Sequence, residues 1–157
     1  MSLKSRILGS FLIGALASIG NPAVADNINT SGTNCQNYNA GQALDIDYLT
    51  TGVRNINAYP RPVICSVPRS PLPPVARAGF WVNGNNSADT TTYCTVFVTS
   101  YLGRPVASMS LTGTAGDWDR FVEFGADVVT MFDYVSMLCT LPGNAAGQIY
   151  GITARQP

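Results

Sequence analysis

The chain has 157 residues, with nine basic and nine acidic side chains, four cysteines and no histidine. Its only lysine, Lys4, lies in an N-terminal stretch that reads as removable, so the remainder carries seven arginines against nine acids, a net charge of −2. A weakly acidic, lysine-free surface lacks the clustered cations that nucleic acid binding needs, and it offers no polybasic patch to anionic lipid. Without histidine there is no Ser–His–Asp or Cys–His catalysis and no HExxH zinc site, and without lysine there is no P-loop or Schiff-base chemistry.

Lys4 and Arg6 precede an uncharged apolar run of 13 residues, 7–19. Gly20-Asn21-Pro22 and then Ala23-Val24-Ala25 follow. A charged start, a short apolar segment and an Ala-x-Ala site predict a Sec-type signal peptide over residues 1–25, cut between Ala25 and Asp26. The apolar run is too short to cross about 30 Å of hydrocarbon as a helix, so the sequence predicts a released protein of the periplasm or the medium with no membrane span. No Leu-x-x-Cys lipidation pattern precedes Cys35. The 132 residues left suffice for one packed domain.

Residues 26–34 are polar and predict a flexible N-terminal tail, leaving 35–157 as a single β domain. From there, short runs of Val, Ile, Thr, Tyr and Phe alternate with Gly, Asn and Pro. No stretch sustains helical apolar spacing. Strands are predicted at 43–49, 52–57, 62–67, 79–83, 91–102, 106–112, 117–124, 128–130, 134–141 and 148–153. Asn83-Gly84 predicts a turn, because both residues tolerate positive φ. Pro68-Arg69-Ser70-Pro71-Leu72-Pro73-Pro74 cannot join a central ladder and reads as an extended crossover. The expected fold is all-β, a mostly antiparallel sandwich of about eight strands, jelly-roll-like or immunoglobulin-like.

Cys35, Cys65, Cys94 and Cys139 form an even set in an exported domain, which implies two disulfides with three pairings open. Their spacing lacks the C-x-x-C pairs of a zinc site. Cys94 shares a strand face with Val96 and Val98, Cys139 with Val135, Met137 and Leu141, and Cys65 with Val63 and Val67, so each cysteine marks a core-facing side. The preferred pairing is Cys35–Cys65 with Cys94–Cys139, which does not cross the two halves of the chain.

Val63-Ile64-Cys65-Ser66-Val67-Pro68-Arg69, Tyr93-Cys94-Thr95 and Tyr134-Val135-Ser136-Met137-Leu138-Cys139-Thr140-Leu141-Pro142 together resemble small secreted bacterial proteins with no assigned activity. The resemblance covers roughly residues 35–152. It implies bacterial export and a disulfide-bonded β domain, and it brings no catalytic residues.

The surviving chemistries are few. Asp45 and Asp47 alternate on one predicted strand face, about 7 Å apart, while Asp119 and Glu123 share a face of 118–124 with Asp117 just before it. A glycoside hydrolase needs two carboxyls about 5 to 9.5 Å apart, so a carboxylate-dependent hydrolase is one alternative function. The plainer reading makes these acids the solvated face of amphipathic strands. Asn83, Asn85 and Asp89 are the oxygen-bearing residues that calcium would use, in a loop without the regular spacing of an EF-hand, and no metal or other cofactor is expected. On 91–101, Tyr93, Phe97 and Tyr101 face away from Cys94 and could stack sugar rings or meet a protein, as could Trp81 and Trp118; the alternative for all five is burial as core. The sequence therefore predicts a non-catalytic structural or binding module, with a glycan or protein surface as partner and a fimbria-like subunit as a further alternative.

Overall fold

A computed structural model describes residues 27–68 and 77–155. The predicted signal peptide, its cleavage site and most of the proline-rich crossover (69–74) lie outside the described residues.

Alternating apolar residues need a second surface to cover them, and here two antiparallel sheets cover each other. The front sheet runs β3 (Ile46–Leu49), β4 (Gly52–Asn55), β11 (Gly147–Arg155), β6 (Ala78–Asn86) and β9 (Gly116–Phe124), with β1 (Asn27–Ser31) beside the C-terminal half of β11. The back sheet runs β2 (Cys35–Asn37), β5 (Arg61–Ser66), β10 (Tyr134–Leu141), β7 (Thr92–Thr99) and β8 (Pro105–Gly113). The expected all-β antiparallel sandwich is what forms, with eleven strands among the described residues instead of about eight.

The core lies between the sheets and follows the strand period. Val135, Met137, Cys139 and Leu141 of β10 point in, as do Cys94, Val96 and Val98 of β7, and they meet Phe80, Val82, Trp118, Val122, Phe124, Ile149 and Ile152 from the front sheet. Each large side chain buried in this way contributes about 1.5–3 kcal/mol relative to exposure. The disulfides pair as preferred from the sequence. Cys35 stands directly opposite Cys65 across β2 and β5, and Cys94 opposite Cys139 across β7 and β10, with Cα atoms 3.9 and 4.0 Å apart. Both bonds therefore staple neighbouring strands of the back sheet.

Three local expectations are corrected. The supposed tail is ordered: Asn27–Ser31 pairs residue for residue with Arg155–Gly151, and a 3-10 helix, Gly32–Asn34, follows. An edge strand needs only backbone partners, so its polar composition hid it. Asn83-Gly84 does not turn. It lies within β6, where Gly84 makes room for an indole ring, since a Cβ there would stand 2.6 Å from Trp118. The turn comes later, at Ser87–Thr90, with Asp89 at φ 59°. Residues 128–130 likewise form a turn region closed by Val128 N–H to the Gly125 carbonyl, not a strand.

Asp45 and Asp47 do not share a strand face. Asp45 ends a 3-10 helix, Ala40–Asp45, and its carboxylate accepts from Arg61 and from the Asn57 amide, whereas Asp47 on β3 pairs with Arg54 at 2.8 Å. The Arg61 guanidinium first, and then the Asn57 amide, hold the Asp45 carboxyl below its usual value. A carboxyl whose folded value is depressed stabilises the fold at neutral pH, and that contribution is lost as pH falls through the depressed value. Asp45→Asn should therefore flatten the fall of melting temperature below about pH 4; an unchanged acid limb in thermal melts would dismiss this ion pair as a source of acid sensitivity.

Candidate functional site

The outward side of the front sheet brings rings, amides and carboxylates into common reach. Strand register sets it out in rows about 4.8 Å from strand to strand. One row crosses Asp119, Asn83, Gly151 and Ser31 on β9, β6, β11 and β1. The next crosses Phe121, Trp81, Thr153 and Asn29. On the other side Asp117 faces Asn85, whose amide donates to it at 2.7 Å.

A β-bulge completes the arrangement. Ile149 pairs with Gly84 and Gly151 with Asn83, so Tyr150 has no partner on β6. An unpaired residue is free to be re-aimed, which is why bulges recur beside binding sites. Gly52, at φ 144°, brings its α-carbon against the Ile149 carbonyl, a place no Cβ could occupy, and seats the bulge from β4. Tyr150 then rises beside Asn83. On the opposite flank Trp81 and Phe121 stack with ring centroids 4.3 Å apart and planes 33° from parallel. Between these aromatic flanks lie three overlapping hollows of about 330, 240 and 450 Å³, and Asn83 lines all three.

The polar groups here are available. Neither the Asn83 amide nor the Asp119 carboxylate is hydrogen-bonded through its side chain to another described residue. Thr153 does donate to Asn29, at 2.7 Å. Asp117 and Asp119 both line the largest hollow, but they project side by side from one strand and do not face each other across it. Glu123, further along the same face, pairs with Arg77 at 3.4 Å. The three acids of the hydrolase alternative are thus neighbours without being an opposed pair.

The other predicted residues divide. Tyr93 and Phe97 stand on the outer face of the back sheet, 60 and 36% exposed, in a flat field of Ser and Thr that includes Thr95 hydrogen-bonded to Ser110. Tyr101 is not in line with them. Strand β7 stops at Thr99, and Tyr101 lies in the following turn, 64% exposed, edge-on to Phe132 at 6.2 Å. Trp118 lies beneath the largest hollow and presents almost no surface to it. It is 4% exposed, because the parity of β9 turns it inward with Val122 and Phe124. Of the calcium candidates, Asn83 and Asn85 sit along β6 on the outer face, and Asp89 occupies the turn beyond the strand. Among the described residues no group of three or more Cys, Asp or Glu side chains is arranged to hold a metal ion.

Trp118 carries a prediction of its own. Its indole N–H is buried and has no hydrogen-bond partner among the described residues. Leaving a buried donor unpaired costs about 1–3 kcal/mol, so Trp118→Phe, which removes the donor along with some volume, should change stability by no more than about 1.5 kcal/mol. Trp118→Ala should cost about 3–5 kcal/mol. Similar losses for the two variants in denaturant titrations would mean that the N–H has a hidden partner.

No family model matches the chain, and no curated protein does. Solved structures do resemble it. A xylan-binding module, CBM15, superposes with a TM-score of 0.52 at 15% identity, over 84% of this chain and 97% of its own length. The CBM36-1 domain of a multidomain xylanase from the hindgut metagenome of Trinervitermes trinervoides gives 0.50 at 7% identity, over 82 and 96% of the two chains. BiXyn10A CBM1 in its apo form gives 0.52 at 13% identity, over 83 and 97%. At these identities the likeness establishes the β-sandwich fold.

Proposed function

We propose that the chain is a non-catalytic binding module that takes a glycan on the outer face of its front sheet. One observation carries the reading. Trp81 stacked on Phe121, and Tyr150 on its bulge, flank side chains of Asn83 and Asp119 that have no hydrogen-bond partner among the described residues. A sugar ring offers C–H faces that pack on aromatic rings and a rim of hydroxyls that suits planar amides and carboxylates, so both halves of the site are matched. The fold it shares with a xylan-binding module supports the same reading. Because Asp117 and Asp119 project in one direction, they are placed to accept hydroxyl protons and not to work from opposite sides of a glycosidic bond.

We read the protein as exported, from Lys4, Arg6, the apolar run 7–19 and Ala23-Val24-Ala25. Two disulfides accord with an oxidising compartment, and among the described residues no helix is long and apolar enough to cross a membrane. Affinity electrophoresis of residues 26–157 through gels containing xylan, mixed-linkage β-glucan, galactomannan, polygalacturonate or alginate tests the reading. Retardation by at least one polysaccharide is expected, with its chain length unchanged afterwards. Free migration through all five gels would refute glycan binding, and shortening of the retained chain would refute the non-catalytic assignment.

A further inference from the structure

The groove has a definite electrostatic sign. Asp119 is the in-register neighbour of Asn83 at its centre, and Asp117 stands one row away beside Asn85; both carboxylates are exposed and both line the largest hollow. Among the described residues no arginine is ion-paired to either of them. Arg120, between the two acids and Phe121 in sequence, turns away: its guanidinium donates to the Thr112 carbonyl, the Asp119 carbonyl and the Thr114 hydroxyl. Arg54 is taken by Asp47, and Arg77 by Glu123. Arg155 lies two rows from Asn83, opposite Gly79 and Asn27. The aromatic flanks are neutral and the Asn85 amide that donates to Asp117 carries no charge, so the two carboxylates set the potential beside Asn83.

We infer that this groove selects by charge, admitting uncharged glycans and excluding chains that bear uronic acids. The inference rests on the glycan-binding reading of the front face. A uronate seated against Tyr150, beside Asn83, would bring its carboxylate up to Asp119 and Asp117, which line the same hollow, with Arg155 two rows away. Like charges at such distances repel, and the attraction of hydroxyls for Asn83 does not offset them. Because the acids are exposed, added salt screens the repulsion, with a Debye length of about 10 Å at 0.1 M falling to about 3 Å at 1 M. Exclusion should therefore be strongest at low salt.

The matched probes are glucuronoxylan oligosaccharides and the same oligosaccharides with their carboxyls reduced to alcohols, titrated calorimetrically at low and high salt. The reduced form should bind the intact protein at least ten-fold more tightly at low salt. The gap should narrow at high salt and close in Asp117→Asn/Asp119→Asn, even if that variant binds both forms more weakly, with thermal melts reporting that it is folded. Equal or tighter binding of the uronate form, a gap that survives the double substitution, or preferential retention by polygalacturonate or alginate would overturn charge selection while leaving glycan binding standing. If neither form binds and no neutral polysaccharide retards the protein, glycan binding itself falls, and this inference with it.

Discussion

Trp81→Ala is expected to abolish retardation in whichever polysaccharide gel slows the unaltered protein, while Tyr93→Ala leaves it unchanged. The two residues are a fair contrast. Both are outward-facing aromatics on strands long enough to be rigid, one per sheet. They differ in company. Trp81 is braced by Phe121 and stands two positions along β6, one row, from the Asn83–Asp119 row. Tyr93 lies between Thr112 and Thr140, with no carboxylate or amide beside it. Truncating a central aromatic anchor costs about 2 kcal/mol or more of binding, roughly a thirty-fold loss of affinity. Tyr150→Ala should lose a similar amount if the bulge exists to present that ring. Thermal melts check that each variant is folded, since Trp81 is only half-buried and its removal opens no core cavity. The reverse pattern, loss with Tyr93→Ala and none with Trp81→Ala, would move the site to the back sheet.

Much of this was readable before the fold was known, and the rest failed for physical reasons that can be named. Side-chain parity around Cys65, Cys94 and Cys139 located the core face, because side chains alternate across a strand, while the pairing came only from not crossing the two halves of the chain. Trp81 was readable as a candidate, but its partner was not. Phe121 lies forty positions on, and only the β6–β9 register joins them. Tyr150 was missed because strand reasoning assumes strict alternation. Its clue was present in Ile149-Tyr150-Gly151-Ile152, where two buried isoleucines are three apart instead of two, as a bulge requires. The opposite error arose at Leu44-Asp45-Ile46-Asp47. That stretch alternates like a strand, yet Leu44 is 91% exposed on a 3-10 helix, because Arg61 and Asn57 draw Asp45 out of line. Pattern alone cannot register a competing ion pair.

Loss of the Cys94–Cys139 bond should cost more stability than any single surface change. The bond closes a loop with a sequence separation of 45, against 30 for Cys35–Cys65. In the loop-entropy account, each constrains the unfolded chain by about 4 kcal/mol, with little between them. Their positions in the fold differ more than their loops do. Cys94 and Cys139 join the central strand of the back sheet, β10, to its interior neighbour β7, whereas Cys35 lies on the three-residue edge strand β2. Removing the central bond therefore also opens space beside Val96 and Met137, both fully buried, and adds a packing loss to the entropic one. Cys94→Ala/Cys139→Ala should lower stability by about 4–5 kcal/mol, a large share of the 5–15 kcal/mol that holds a typical domain together. Cys35→Ala/Cys65→Ala should cost less and act mainly on β2 and the 3-10 helix before it, visible as faster amide exchange there. Equal losses in guanidinium titrations would show that chain entropy alone sets the effect. A larger loss for the edge pair would mean that β2 holds the sandwich closed in a way its three residues do not suggest.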